Sequence, residues 1–159
     1  MKIGVISDTH IPSKAKKIPD IVFDKFRDID LIIHAGDITS QEVLDDLAVL
    51  APVKAVYGNV DPPELCRGLP ERLRIELNGY QIGVTHGHNL KGHIMERIAY
   101  VFPKADIIIF GHTHRPCNEV INGQLYFNPG SATDRRLQAK HSIGIITLHD
   151  RIEREIIYY

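Results

Sequence analysis

The sequence predicts an α/β fold in which two β-sheets lie face to face with helices outside them, and three observations carry that expectation. Five apolar runs each stop abruptly at acids, histidines or an asparagine. The first three runs are separated by stretches with helical spacing, which makes their strands parallel, because a parallel pair needs a long crossover. The second half carries two Asn-Gly turns, Asn78-Gly79 and Asn122-Gly123, the signal of antiparallel hairpins. Helix, sheet, sheet, helix is the layer order that results.

Taken in order, the first strand runs from about Lys2 to Ile6 and leads into Ser7-Asp8-Thr9-His10. Pro19 suits the first turn of a helix, and Ile18, Val22, Phe26 and Ile29 recur at helical spacing to give it an apolar face. Leu31-Ile32-Ile33 is a second strand ending at His34-Ala35-Gly36-Asp37. Thr39 with Glu42 three residues on fits a capping box, opening a helix with the stripe Val43, Leu44, Leu47, Leu50 that Pro52 ends. Val53 to Tyr57 is a third strand, closing on Gly58-Asn59-Val60-Asp61.

Arg72 to Leu77 alternates polar and apolar residues, turns at Asn78-Gly79 and returns as Tyr80 to Val84 before Thr85-His86-Gly87-His88. A helix near Gly92 to Phe102 presents Ile94, Ile98, Val101 and Phe102. Ile107-Ile108-Ile109-Phe110 has no polar alternation, as a strand covered on both faces requires, and ends at Gly111-His112-Thr113-His114, where glycine is expected to let the backbone turn. A second hairpin joins Glu119-Val120-Ile121 to Gln124 through Phe127, Asn128-Pro129-Gly130-Ser131 is a turn, and His141 to Leu148 pairs with Glu153 to Tyr158 as a last hairpin.

A chain of 159 residues with 43% apolar composition suits a single domain spanning 1–159 with one substantial core. Its net charge of -1 gives no basic footprint for nucleic acid or anionic membrane. No apolar run approaches the roughly 20 residues that span a bilayer, and the start turns acidic too soon for a secretory signal. Cys66 and Cys117 lack C-x-x-C spacing and read as reduced thiols, so a cytoplasmic protein is expected.

In open sheets the loops after the carboxyl ends of strands meet in one crevice, which would bring Asp8, His10, Asp37, Asn59, His86, His112 and His114 together. Each alone has a structural reading as a turn, cap or hydrogen-bonded polar group. Jointly those readings would have to place ligand-type residues at five strand ends by accident. His34 and His93 read as structural or surface groups.

Asp8-x-His10, Gly36-Asp37, Gly58-Asn59-x-Asp61, His86-Gly87 and Gly111-His112-x-His114, in this order and each after a strand, resemble the calcineurin-like metallophosphoesterase signature over nearly the whole chain. Short length, Thr85-His86-Gly87-His88 and Asn128-Pro129-Gly130-Ser131 are similar to its small prokaryotic phosphodiesterases, the group that includes the retromer subunit of the vacuolar sorting type. The resemblance implies a four-layer α/β/β/α sandwich with two divalent cations at its crest. By matching positions, Asp8, His10, Asp37 and His114 would hold one metal, and Asp37, Asn59, His86 and His112 the other. Imidazoles and carboxylates with an amide oxygen suit Mn²⁺, the leading expectation, and also Fe²⁺, Co²⁺, Ni²⁺ or Zn²⁺ rather than Ca²⁺. Metals roughly 3.5 to 4 Å apart can share a hydroxide that attacks phosphorus in line.

The expected function is therefore metal-dependent hydrolysis of a small phosphate ester, most specifically a diester. Asn59, Asp61 and His88 are the catalytic candidates beside the ligands. Larger members have a histidine where this chain has Val60, so the usual general acid is absent and His88 is the candidate substitute. The competing class is a binding scaffold with lapsed catalysis. An amide hydrolase on a barrel is excluded by length, since such a barrel takes about 250 residues. A homodimer is allowed for, though no sequence feature fixes the assembly.

Overall fold

The computed structural model describes residues 1–89 and 94–159. Strands β1 (Lys2–Ile6), β2 (Leu31–His34) and β3 (Val53–Ala55) are parallel, joined through α1 (Asp20–Lys25) and α2 (Gln41–Ala48). A short helix α3 (Pro63–Gly68) leads to the hairpin β4 (Arg72–Leu77) and β5 (Tyr80–Thr85), followed by α4 (Ile94–Val101) and β6 (Ile107–Phe110). Two further hairpins close the chain, β7 (Cys117–Ile121) with β8 (Gln124–Asn128), and β9 (Ser142–Leu148) with β10 (Ile152–Tyr158). The first sheet has the order β10-β9-β1-β2-β3 and the second β4-β5-β6-β8-β7. Both are mixed, as the change of pattern along the sequence predicts.

Side-chain alternation explains the layering. Ile3 and Val5 of β1, Leu31 and Ile33 of β2, Ile82 and Val84 of β5, and Ile107 and Ile109 of β6 form one buried cluster between the sheets. The opposite face of the first sheet packs Ile6, Ile32 and Ile143 against Val22, Phe26, Val43 and Leu47 of the helical side. The outer face of the second packs Ile108, Phe110 and Tyr126 against Ile98 and Phe102. A strand buried on both faces cannot alternate, which is why β2 and β6 read as unbroken apolar runs. At roughly 25 cal/mol per Å² of apolar surface, these three clusters are the main source of stability.

Several elements depart from expectation. The capping residue of α2 is Ser40, whose Oγ accepts the Glu42 N–H at 3.3 Å. Thr39 sits at φ 73 and gives its hydroxyl to the Ile11 carbonyl, so it belongs to the preceding loop and not to a capping box. Helix α1 is shorter than its apolar spacing suggests, with Ile29 buried beyond its end. Helix α3 was not anticipated: Pro63 starts it and Leu65 is its one buried side chain, too little periodicity to detect. Strand β3 stops at Ala55, two residues early. The expected start of α4 at Gly92, and His93 with it, lie outside the described residues.

Candidate metal centre

The loops that follow β1, β2, β3, β5 and β6 meet at one end of the facing sheets. Asp8, Asp37, His86 and His114 are buried there with His10, while Asn59 and His112 lie at the exposed edge. Backbone bonds tie the loops to each other: Asp8 N–H donates to Gly36 O at 3.0 Å, His10 N–H to Asp37 O at 3.1 Å, and Gly111 N–H to His86 O at 3.3 Å. Among the described residues nine non-glycines have positive φ, and five of them are Asp8, His10, Asp37, His112 and His114. Such backbone is costly for a residue with a Cβ and concentrates at functional sites.

Gly111 plays a different part from the one its sequence position suggests. It is the following His112, at φ 66, that makes the turn. Gly111 is needed for space: a Cβ there would lie 2.1 Å from Ser7 Oγ and 2.9 Å from Asp8 Oδ2. Gly58 is similar, its Cβ position falling 2.1 Å from Asp37 Oδ1.

The ring nitrogens are sorted by their partners. His86 Nδ1–H donates to Ala35 O at 2.8 Å and His114 Nδ1–H to Asp134 O, which leaves both Nε2 lone pairs facing inward, the orientation of a metal-ligating histidine. His10 Nε2 lies 3.3 Å from His114 Nε2 and 3.6 Å from Asp37 Oδ2. His86 Nε2 is 3.3 Å from Asp37 Oδ2, and Asp8 Oδ1 is 3.1 Å from His114 Nε2. Two donors each ~2.1 Å from one cation and about 90 to 110° apart lie ~3.0 to 3.4 Å from each other, so these spacings suit ligands of shared ions. Asp8 Oδ1 and His86 Nε2 are buried without a hydrogen-bond partner. A carboxylate oxygen and an imidazole nitrogen buried together without hydrogen-bond partners fit a divalent cation.

Two triads of buried donors emerge, Asp8-His10-His114 and Asp8-Asp37-His86. Asp8 is common to both, and Asp37 Oδ2, the donor expected to be shared, lies 3.6 Å from His10 Nε2 and 3.3 Å from His86 Nε2. Asp37 spends Oδ1 on the Val60 N–H at 3.0 Å, so Oδ2 alone reaches both His10 and His86. The electrostatics follow from this crowding. Burial favours the neutral acid, yet His114, His86 and the Ser7 hydroxyl together hold the Asp8 carboxyl below its usual range. Against the same effect of burial, His86 lowers Asp37 to about 2. Burial disfavours charge on His86 and His114, but Asp37 and Asp8 respectively leave both above the usual histidine range. Burial lowers His10 and His112.

Asn59 Oδ1 lies 3.1 Å from His112 Nδ1, with the His112 ring edge-on to His86 at 5.2 Å between centroids. Asp61 commits its carboxylate to backbone amides. Its oxygens accept the N–H groups of Asp37 at 3.1 Å, Ile38 at 2.7 Å, Thr39 at 2.6 Å and Gly58 at 2.7 Å, so it fixes the loops that carry Asp37 and Asn59. His88 stands 5.5 Å from His86 and 6.5 Å from His112, its Nδ1 buried without a partner. His34 is structural: its Nδ1 accepts the Gly36 N–H, its Nε2 meets Thr9 Oγ1 at 3.1 Å, and burial lowers it to about 3.

Asn128 to Ser131, a turn and part of the family resemblance in the sequence, carries no expected site residue, yet two of its side chains brace the crest. Asn128 Nδ2 donates to Gly111 O at 2.9 Å, and Ser131 Oγ donates to Asp8 O at 2.7 Å. Asp134, whose carbonyl orients His114, was also missed. The clue lay in an Asn-Pro-Gly-Ser turn directly after an apolar strand, the same position that delivers the ligands elsewhere.

Two facing mixed sheets with helices outside and a crest of acids and imidazoles define an α/β sandwich of the metallohydrolase kind. The calcineurin-like phosphoesterase superfamily domain matches residues 1–151, and the chain belongs to that family. It is 40% identical over 159 residues to a probable metallophosphoesterase of Methanothermobacter thermautotrophicus, covering 99% of this chain and 92% of that one. A phosphodiesterase of Methanocaldococcus jannaschii is 32% identical over 173 residues, with 99% of each chain covered. Among solved structures, Vps29 from Entamoeba histolytica in complex with Zn²⁺ superposes with a TM-score of 0.83 at 26% identity over 99% of both chains.

Proposed function

We propose that this chain is a phosphodiesterase whose crest holds two divalent cations, and the observation that carries the reading is the orphaned inward face of Asp8 and His86. Asp8, His10, Asp37 and His114 would hold one ion, and Asp37, Asn59, His86 and His112 the other, with Asp8 close enough to reach either. When bound, the ions would supply an activated water near neutral pH and neutralise charge on the phosphate ester. The all nitrogen and oxygen donor set suits Mn²⁺, and Fe²⁺, Co²⁺, Ni²⁺ or Zn²⁺ are the other candidates. The zinc complex of the Entamoeba relative supports a cation site on this fold.

The chain's own residues set the geometry. Ala35 O and Asp134 O fix the tautomers of His86 and His114. Asp61 holds the Asp37 and Asn59 loops in register through four amides. Val60 can transfer no proton, so the departing oxygen leaves with little assistance, unless His88 reaches it. The likeness to Vps29 favours a second reading, a scaffold that binds metal without turnover. Retention of every donor-type residue at the crest weighs for the enzyme. The test is hydrolysis of bis(4-nitrophenyl) phosphate and of 4-nitrophenyl phosphate by Mn²⁺-loaded protein. The diester should be cleaved faster, and Asp37→Asn should lose at least ~10²-fold. A protein carrying both metals that cleaves neither ester is the scaffold.

A further inference from the structure

Beside the crest lies a cleft of about 730 Å³ lined by His10, Val60, Thr39, Lys14, Asp134 and Arg136. Its charge is unbalanced. Lys14 Nζ and Arg136 Nε each lie 3.9 Å from the same oxygen, Asp134 Oδ2, so one carboxylate answers to two cations. A charge-assisted hydrogen bond is about 2.7 to 2.9 Å long, and at 3.9 Å neither cation has committed its N–H donors. Both side chains are half exposed, at 52% and 51%, and open to the cleft.

The placement is anchored to the centre. Asp134 Oδ2 is also 3.9 Å from His114 Nδ1, so Lys14 Nζ stands within about 8 Å of that nitrogen, twice the 3.9 Å step. Asp134 N–H is held by Ser131 Oγ at 2.8 Å, and Ser131 in turn donates to Asp8 O. On the other wall Lys14 N–H donates to His10 O at 2.8 Å. Arg136 itself sits at φ 48, backbone uncommon for a residue with a Cβ. The cavity on the far side, about 300 Å³ between Arg74 and Lys104, has no comparable link, and its Arg74 is engaged by Val101 O and the Phe102 ring.

We infer that this cleft receives a second phosphate, so that the substrate is a phosphodiester bearing a further phosphate on one of its alcohol arms. The inference rests on the diesterase reading above. With a net charge of -1 the chain has no long-range attraction for polyanions, and discrimination must come from this local pair of cations at short range.

A matched pair of probes tests it: thymidine 5′-(4-nitrophenyl phosphate) with and without a 3′-phosphate, which share leaving group, sugar and base. Metal-loaded protein should show a kcat/KM about five- to tenfold higher for the 3′-phosphorylated ester, falling as salt is raised. In Lys14→Met/Arg136→Met the ratio should fall to near one, while Lys14→Arg should keep it. Calorimetry should show the same order, thymidine 3′,5′-bisphosphate binding more tightly than the 5′-monophosphate to the parent and equally to the double variant. Equal kcat/KM for the two esters in the parent, or a preference that survives the double substitution in a folded protein, overturns the subsite alone. Failure to cleave either ester overturns the diesterase reading and the subsite with it.

Discussion

Asp61 illustrates how a residue can be needed at a site without touching its chemistry. Its carboxylate accepts four amide N–H bonds, and an asparagine could offer only one acceptor oxygen in its place. Hydrogen bonds to a charged acceptor are worth roughly 1.5 to 3 kcal/mol each, so Asp61→Asn should destabilise the metal-free protein by at least about 2 kcal/mol in urea unfolding. It should also weaken metal binding, since Asp37 moves with its loop. An acid role for Asp61 would instead appear as a changed dependence of rate on leaving-group pKa with stability intact.

Val60 bears on the same dependence. Its side chain is 48% exposed, lines the cleft and has no proton to give a leaving oxygen. Aryl diesters should be cleaved fast and alkyl diesters slowly. Val60→His should raise alkyl rates more than aryl ones, within the ~10² to 10⁴ range of general acid assistance. A flat dependence in the parent, measured over diesters of graded leaving-group pKa, would assign the proton to another group, His88 first.

At the scale of elements, the site depends on strand ends packing closer than side chains allow. Gly111→Ala adds one methyl that would fall 2.1 Å from Ser7 Oγ, displacing Asp8 without removing any ligand. Metal affinity should drop at least ~10-fold by equilibrium dialysis, and stability by about 1 to 3 kcal/mol as for other overpacked sites. Unchanged affinity would mean that the β1 and β6 ends need no such contact.

Those strand ends were legible because apolar runs with abrupt polar stops are local signals, as were the Asn-Gly hairpins. Helix α3 left no comparable trace, having a single buried residue. Ser40 and Thr39 are neighbours with equal capping chemistry, and only the tertiary bond from Thr39 to Ile11 O separates them. That Asp8 belongs to both triads depends on which oxygen faces which ring, and so does the engagement of the Asp61 carboxylate by four amides. Sequence spacing carries no such information. Asp134 acts through a backbone carbonyl, which any residue possesses, so its identity could not reveal its part.

For the whole molecule the crest is a stability switch as well as a site. In metal-free protein His86 and His114 have pKa values above the usual 6.5, where their charged forms pair with Asp37 and Asp8. Their contribution is complete below pH 6.5 and is lost as pH rises through the raised folded values. His10 and His112 are lowered, so their contribution rises as pH passes through 6.5 and adds no slope beyond about one unit above it. Thermal midpoints of chelator-treated protein should therefore decline above about pH 7.5, while metal-loaded protein should not follow, because cations replace the protons. Parallel curves for the two forms would show that the buried acids do not depend on these imidazoles. No helix among the described residues is long and apolar enough to cross a membrane.

If two cations at this crest drive phosphodiester hydrolysis, adding Mn²⁺ stepwise to chelator-stripped protein, with bound metal and the rate on bis(4-nitrophenyl) phosphate followed together, should link occupancy to turnover. The stripped protein should show no rate, binding should saturate at two ions per chain, and the rate should reach its plateau only with the second. Hydrolysis that persists after stripping, or two bound ions with no hydrolysis, would contradict that link.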